Sequence, residues 1–344
     1  MKRGLFGGLG LVAALAASMV LAPAGRAQDK EVQLKISLWV PPAHPLVPST
    51  QAWAADIEKA SSGSIKSTVF PSEQLGKAFD HYDMARDGIA DFAYVNPGYQ
   101  PGRFPIIAAG ELPFLMADAK GGSAALDTWY RKYAATEMKD VHFCMAFVHD
   151  PGTFHSHKKI LVPADLKGLK VRPADATIGQ FMTLLGGTNV QASAPEARDV
   201  LARGVADAIT FPWGSIVLFG IDKVVNFHMD AALYVTTFVW VMNKDKYNGL
   251  SAAQKKVIDD HCTTDWAVKL ASPWADFEAK GKPTIKAEAG HEVYPLTAAQ
   301  LEEWRKAAAP LQDKWAEGVR KTGADPDKVM AELKDALKQR NALY

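Results

Sequence analysis

The sequence carries almost no net charge, with 39 basic and 38 acidic side chains in 344 residues. A protein that binds nucleic acid needs a concentrated basic face, so nucleic acid is not an expected partner. The sequence also lacks a P-loop, a G-x-S-x-G elbow and a G-x-G-x-x-G turn after a predicted strand. These absences argue against an enzyme, and no cofactor is predicted.

Long hydrophobic runs are absent after residue 27. Before it, Lys2 and Arg3 precede an apolar stretch at residues 5–21, and small residues follow at positions 25–27. This order is typical of a secretory signal, which predicts that residues 1–27 are removed and that the mature chain is exported. The apolar stretch is also long enough for a membrane anchor, which stays open as the alternative.

Cysteine is scarce, with Cys144 and Cys262 only. In an oxidising compartment the two could pair. Cys144 lies in an apolar run and Cys262 in a helical pattern, and these surroundings favour two buried free thiols. His149, His155 and His157 have no cysteine or carboxylate partner at a metal-ligand spacing, so no metal site is predicted.

What the sequence does have is a regular succession of strand and helix patterns. Residues 32–40 predict a strand, 47–61 a helix and 65–70 a second strand, and this β–α–β order predicts a mostly parallel sheet. A similar succession follows, with strands predicted at 169–172, 189–191 and 208–211 and helices at 176–185 and 195–203. The fold class is therefore α/β. Ligands bind at the carboxyl ends of such strands, where Arg172 stands.

The later helices are predicted from their caps and prolines. Ser251 predicts the start of a helical region that extends to residue 280, with a kink or a break at Pro273. Thr297 predicts the start of a last long helix over residues 298–321, with a kink at Pro310.

Several separated segments share, in the same order, the pattern of one family. They are SSGSIKSTVFPSEQLG at 61–76, ELPFL at 111–115, Lys170-Val171-Arg172, Pro195-Glu196, GVADA at 204–208 and Pro212-Trp213. With these segments the sequence resembles the solute-binding proteins of tripartite ATP-independent periplasmic (TRAP) transporters, the DctP-like family. The resemblance covers roughly residues 32–300.

The resemblance implies a two-lobe periplasmic binding protein fold, with mixed sheets, helices on both faces and a ligand cleft between the lobes. Residues 28–150 and about 236–275 are assigned to the first lobe, and residues 151–235 and about 276–344 to the second. The implied function is capture of an organic acid in the periplasm by hinge closure, and its delivery to the integral membrane subunits of a TRAP transporter. A monomer is expected.

Arg172 is the central candidate for ligand binding. The resemblance implies that it pairs with a substrate carboxylate, which the planar guanidinium can grip with two hydrogen bonds. The alternative is an ordinary salt bridge to Asp175 or Asp207. Many family members carry Asn where this chain has Phe211, and the sialic-acid-binding members carry a second Arg near the turn that here contains Pro151. These departures predict a monocarboxylate ligand with an apolar, aromatic body.

The other candidates lie at the predicted strand ends and the first β–α loop. Their aromatic rings could form one wall of the pocket, or pack in the core instead. His44 could donate a hydrogen bond to a ligand, and a purely structural role is the alternative. The predicted ligand-binding residues besides Arg172 are Trp39, His44, Tyr94, Asn96, Tyr99, Phe211 and Trp213.

Two other functions stay open. An exported α/β enzyme acting on a carboxylate would turn its ligand over, which a binding protein does not do. A periplasmic partner of a sensor would present the acid to a receptor. Two integral membrane subunits encoded beside this gene would favour transport, and a sensor kinase would favour sensing.

Overall fold

The computed structural model describes residues 29–344. The predicted signal segment at residues 1–27 lies outside the described residues. Within them, no helix is both long enough and apolar enough to cross a membrane.

The first lobe is built on a mixed sheet of five strands in the order β2–β1–β3–β10–β4. Strand β1 pairs in parallel with β2 and β3, as the β–α–β pattern predicts, while β10 is antiparallel to β3 and β4. The strands are β1 (Val32–Ser37), β2 (Ile65–Phe70), β3 (Phe92–Val95), β4 (Val141–Val148) and β10 (Thr237–Asn243). All seven residues of β10 are buried, because the strand lies between β3 and β4 and both faces of the sheet are covered.

The second lobe is built on a mixed sheet of six strands in the order β11–β9–β5–β8–β6–β7. Strand β6 is parallel to β7 and β8, whereas β5 is antiparallel to β8 and β9. The strands are β5 (Thr153–Ser156), β6 (Lys170–Arg172), β7 (Thr188–Asn189), β8 (Ala208–Phe211), β9 (Phe227–Asp230) and β11 (Glu292–Pro295).

Twelve α-helices surround the sheets in the described part of the chain. They are α1 (Leu46–Ala60), α2 (His81–Arg86), α3 (Ala119–Glu137), α4 (Ala176–Leu184), α5 (Ala197–Ala202), α6 (Trp213–Leu218), α7 (Lys244–Asn248), α8 (Ala252–His261), α9 (Thr264–Ala287), α10 (Ala298–Ala308), α11 (Pro310–Arg320) and α12 (Pro326–Gln339). Ser251 and Thr297 cap α8 and α10 through reciprocal capping boxes, which confirms both predicted starts. Pro310 begins α11, so the predicted last long helix is two helices.

Helix α9 belongs to both lobes. It packs against α1 and α3 beside the first sheet and against α6 beside the second. The helix continues through Pro273, so of the predicted kink or break the break is wrong, and it also contains Pro283. The helical region predicted from Ser251 is divided at Cys262 and Thr263 instead, between α8 and α9. At Gly281 its backbone lies directly on the start of α6, where an added Cβ would stand 2.1 Å from the carbonyl carbon of Trp213. Only glycine permits this approach.

The chain passes from the first sheet to the second between β4 and β5 and returns between β9 and β10. A third passage runs along α9. Helix α12, which lies in the segment assigned to the second lobe, packs against α3 of the first. The exact lobe boundaries therefore stay a prediction.

Cys144 of β4 and Cys262 at the end of α8 form a disulfide, with their Cα atoms 4.5 Å apart. The prediction of two free thiols is wrong. Helix α9 packs on β4, which brings the residues just before α9 onto the strand. Both cysteines are buried, and apolar neighbours surround a buried disulfide as readily as a buried thiol.

We expect the disulfide to contribute substantially to stability, because it closes a loop across 118 residues. Replacing both cysteines by alanine should lower the free energy of unfolding by about 2–5 kcal/mol. Denaturant titration of the oxidised protein and the double variant measures the difference. The wild-type protein with its disulfide reduced is the control, and its denaturation midpoint should match that of the double variant. Equal midpoints for all three samples would show that the link contributes nothing.

Candidate functional site

A cavity lies between the two lobes. It is formed at the carboxyl ends of strands from both sheets, where ligands collect in open α/β structures. Six of the predicted residues line it: Trp39, His44, Asn96, Tyr99, Arg172 and Phe211. The structure adds several that the sequence did not indicate, among them His149, Ser215, Phe219, Thr236, Phe238 and Trp274.

Arg172 ends strand β6 and is 1% exposed. Its Nε donates to the carbonyl oxygen of Ala192 at 2.9 Å, and its Nη2 donates to the hydroxyl of Tyr99 at 3.2 Å. Its Nη1 is buried and has no hydrogen-bond partner among the described residues. A buried cation with an unused donor is costly unless an anion completes it.

The alternative salt bridge of Arg172 to Asp175 or Asp207 does not form. Asp207 accepts a hydrogen bond from the backbone N–H of Lys170, at 2.8 Å. Asp175 caps helix α4 by accepting from the backbone N–H of Ile178, also at 2.8 Å. Both carboxylates therefore serve the backbone of the second lobe, and the guanidinium is left without a protein counter-ion at salt-bridge distance in the described chain.

Tyr99 completes the surroundings of the guanidinium from the first lobe. Its hydroxyl oxygen accepts from Arg172 Nη2 and also from the backbone N–H of Ala194, at 2.9 Å. Because the oxygen accepts twice, its own proton remains available as a donor. The ring of Phe211 lies 5.4 Å from the guanidinium carbon, at a distance typical of a cation–π contact.

Aromatic rings form much of the cavity wall. Trp39 lies 6.1 Å from Tyr99 and 6.4 Å from Phe238, measured between ring centroids. Tyr94 stacks behind Trp39 at 4.9 Å and does not line the cavity. Its ring supports the wall from the core side.

Trp213 also lies outside the cavity. Its ring packs edge-on against His155, with centroids 5.1 Å apart, on the far side of the Pro212 backbone. It begins helix α6, so its place in the motif positions the α6 backbone near the cavity.

Two histidines in the wall are neutral. The Nδ1 of His44 accepts from the backbone N–H of Leu46 at 3.2 Å, and burial lowers the pKa of His44 to about 3. The Nε2 of His149 accepts from the backbone N–H of Thr236 at 3.1 Å, and burial lowers the pKa of His149 to about 4. Arg172 is thus the one charged side chain among the described residues that line the cavity.

Glu278 of α9 holds two of the wall residues in place. Its carboxyl group accepts from the indole N–H of Trp274 at 2.6 Å and from the hydroxyl of Ser215. It also accepts from the backbone N–H groups of Gly214 and Ser215 at the start of α6. Burial raises the pKa of Glu278 to about 7, against the opposing effect of these donors. The carboxyl group therefore ties α9 to α6 beside the cavity.

A pair of buried carboxyl groups, Glu111 and Asp175, also joins the lobes. Glu111 accepts from the hydroxyls of Thr177 on α4 and Thr237 on β10, each at 2.8 Å. Asp175 accepts from the hydroxyl of Thr236 at 3.1 Å. Burial raises the pKa of Asp175 to about 7, and burial together with the charge of Asp175 raises the pKa of Glu111 well above its usual range.

Residues 36–318 match the family of bacterial extracellular solute-binding proteins, family 7, known as DctP. The chain belongs to this family. The match spans both sheets and every strand-end residue that lines the cavity. The family resemblance inferred from the sequence is therefore confirmed, and so is the two-lobe fold.

Solved structures of family members are closely similar to this chain. A TRAP solute-binding protein from Rhodoferax ferrireducens, in complex with copurified benzoate, has 30% identity and a TM-score of 0.84, covering 90% of this chain and 98% of its own. A marine metagenome TRAP solute-binding protein described as specific for aromatic acids, in complex with 3-hydroxybenzoate, has 31% identity and a TM-score of 0.84, covering 91% and 99%.

A curated relative is more distant in sequence. The outer membrane transporter protein TsaT of Comamonas testosteroni is 25% identical over 320 residues, which covers 91% of this chain and 93% of TsaT.

The wall residues that were not predicted from the sequence differ in how strongly the sequence indicates them. His149 and Thr236 stand at the two strand crossings between the lobes, so a search for polar residues at those crossings could have found them. Phe238 lies in β10, where every residue is buried, so its position in the sequence is equally typical of a core residue. Trp274 lies within the long helix α9, and only tertiary packing shows which face of that helix meets the cavity.

We expect Asp175 to make the protein less stable as pH rises. Its pKa in the folded protein, about 7, exceeds its ordinary value of 3.8, so the folded state holds a proton that the unfolded chain releases. The contribution of Asp175 to the free energy of unfolding is complete below about pH 4 and is lost as the pH rises to about 7. The slope of this loss is at most about 1.4 kcal/mol per pH unit. Asp175→Asn still caps α4 but does not titrate, so its unfolding free energy should vary less over this window.

Denaturant titrations at several pH values measure this slope. Asp199→Asn, at a side chain that is 67% exposed, is the matched control and should keep the wild-type slope. An unchanged slope in Asp175→Asn would show that this carboxyl group is ionised in the folded protein.

Proposed function

We propose that the chain is a periplasmic solute-binding protein of a TRAP transporter, and that its ligand is an aromatic or otherwise apolar monocarboxylate. The observation that carries this proposal is the buried guanidinium of Arg172, whose free Nη1 adjoins a cavity walled by aromatic rings. The chain acts by binding and release, without chemical turnover of its ligand. It works as a monomer after removal of residues 1–27.

One carboxylate satisfies the charge of the site. Arg172 Nη1 and the hydroxyl proton of Tyr99 are both available to it, and bonds between a guanidinium and a carboxylate are among the stronger hydrogen bonds in proteins. A second carboxylate would meet only neutral side chains, because His44 and His149 are uncharged. Burying that second charge without a partner would be costly, which disfavours dicarboxylates.

The body of the ligand meets mostly rings. Trp39, Tyr99, Phe211 and Phe238 offer faces and edges against which an aromatic ring can pack. The two related solute-binding proteins hold benzoate and 3-hydroxybenzoate, which supports the same ligand class here.

Delivery to the membrane subunits requires the lobes to open and close. Arg172 of the second lobe is hydrogen-bonded to Tyr99 of the first, so the ligand site includes donors from both lobes. The two strand crossings and helix α9 connect the lobes and are the places where a hinge would bend. Ligand binding would then favour the closed arrangement.

A thermal-shift screen of the mature chain tests the ligand class. Benzoate and short aliphatic monocarboxylates should be compared with succinate, malate and sialic acid. A ligand at 100 times its Kd adds about 2.7 kcal/mol of stability, enough for a clear shift. A shift with a dicarboxylate or sialic acid alone would reject the aromatic monocarboxylate.

Arg172→Lys should weaken benzoate binding by about tenfold or more, because lysine keeps the charge but loses the planar fork. Isothermal titration calorimetry measures the change. Arg203→Lys is the matched control, since the side chain of Arg203 is 77% exposed and lies away from the cavity. Unchanged affinity in Arg172→Lys would remove Arg172 from the ligand site.

A further inference from the structure

The cavity holds more unused hydrogen-bond donors than one carboxylate at Arg172 requires. Arg172 Nη1 and Trp39 Nε1 are buried without partners among the described residues. The Tyr99 hydroxyl has a free proton because its oxygen accepts twice. His44 adds a fourth donor through the nitrogen that faces away from Leu46.

The tautomer of His44 is set by the backbone. Its Nδ1 accepts from the N–H of Leu46 and so carries no proton, which leaves the proton of the neutral ring on Nε2. The side chain is 1% exposed and lines the cavity. No hydrogen bond joins Nε2 to any described residue, so His44 presents the cavity with a neutral donor only.

Other polar side chains in the wall are already engaged. The amide of Asn96 donates to the carbonyl of Ala174 and accepts from the N–H of Gly98. The hydroxyl proton of Thr236 goes to Asp175, and both ring nitrogens of His149 bond to the backbone. His44 therefore differs from Thr236 and His149 in having a donor to spare, while Asn96 keeps one further amide N–H.

His44 stands apart from the carboxylate position. It comes from the β1–α1 loop of the first lobe and packs edge-on against Trp274, with ring centroids 4.9 Å apart. Arg172 belongs to the second lobe and contacts Ala192, Tyr99 and Phe211. The hydrogen bonds and ring contacts of the two side chains involve different residues, and a carboxylate that takes Arg172 Nη1 and the Tyr99 proton needs no donor from His44.

We propose that His44 Nε2–H forms a second polar subsite that binds an uncharged acceptor oxygen, such as an ether or carbonyl oxygen, on the body of the ligand. The preferred ligand is then an oxygen-substituted aromatic monocarboxylate rather than an unsubstituted or alkyl-substituted one. A buried donor that meets an alkyl group stays unpaired, which is the basis of the discrimination. This inference rests on the proposed function of the same cavity.

Methoxy- and ethylbenzoates, with the substituent at the 3 or the 4 position, provide the test because the two groups have nearly the same size. Calorimetry of the mature chain should show one methoxybenzoate binding about tenfold tighter than the ethylbenzoate of the same position. In His44→Phe the ratio should fall to about one, while benzoate still binds. In His44→Gln, whose amide keeps a donor and an acceptor, part of the preference should remain.

His157→Phe, at an exposed histidine, is the control and should retain the preference. Equal affinities of methoxy and ethyl compounds at both positions in the wild type would overturn the subsite without the need for any variant. A preference that survives in His44→Phe would also overturn it. Failure of every benzoate to bind is a different result, because it rejects the proposed ligand class itself.

Discussion

A guanidinium buried between two lobes must have an anion, and much of this structure is arranged around that requirement. Arg172 is 1% exposed, keeps two of its nitrogens in hydrogen bonds and leaves the third without a protein partner. The nearby aspartates are held by backbone N–H groups instead. Because no protein carboxylate neutralises it, the charge remains available to a ligand.

Three of the buried acids are consistent with this arrangement. Glu111, Asp175 and Glu278 all have pKa values raised by burial, so they are partly or fully protonated near neutral pH. They can therefore connect elements of the fold without contributing full negative charges beside the site. Arg172 is then the charged side chain in the cavity wall, and its positive charge favours entry of an anion.

Local pattern predicted the strand ends well. β2 and β8 have the predicted bounds, and Arg172 stands at the end of β6 as expected. The predicted residues nearest these ends, such as Tyr99 and Phe211, do line the cavity, because the carboxyl ends of strands converge there.

Contacts between distant segments could not be predicted in the same way. The disulfide joins residues 118 positions apart, and their apolar neighbours are equally compatible with free thiols. Trp213 carries the family motif but does not line the cavity, while Trp274 lines it from a predicted helical region whose sequence does not show which side faces the cavity. Only packing of α9 against both lobes decides which tryptophan meets the ligand.

Helix α9 has a mechanical consequence for ligand release. Proline has no N–H, so at Pro273 the helix lacks one of its internal hydrogen bonds, and this position lies beside Trp274 of the cavity wall. The helix is attached to α3 from Thr264 to Asp276, and it is fixed to α6 through Glu278 and Gly281. The missing hydrogen bond makes Pro273 the position in this stretch at which the helix bends most easily. Relative motion of the lobes would then displace the Trp274 ring, so that opening the protein also dismantles part of the surface that holds the ligand.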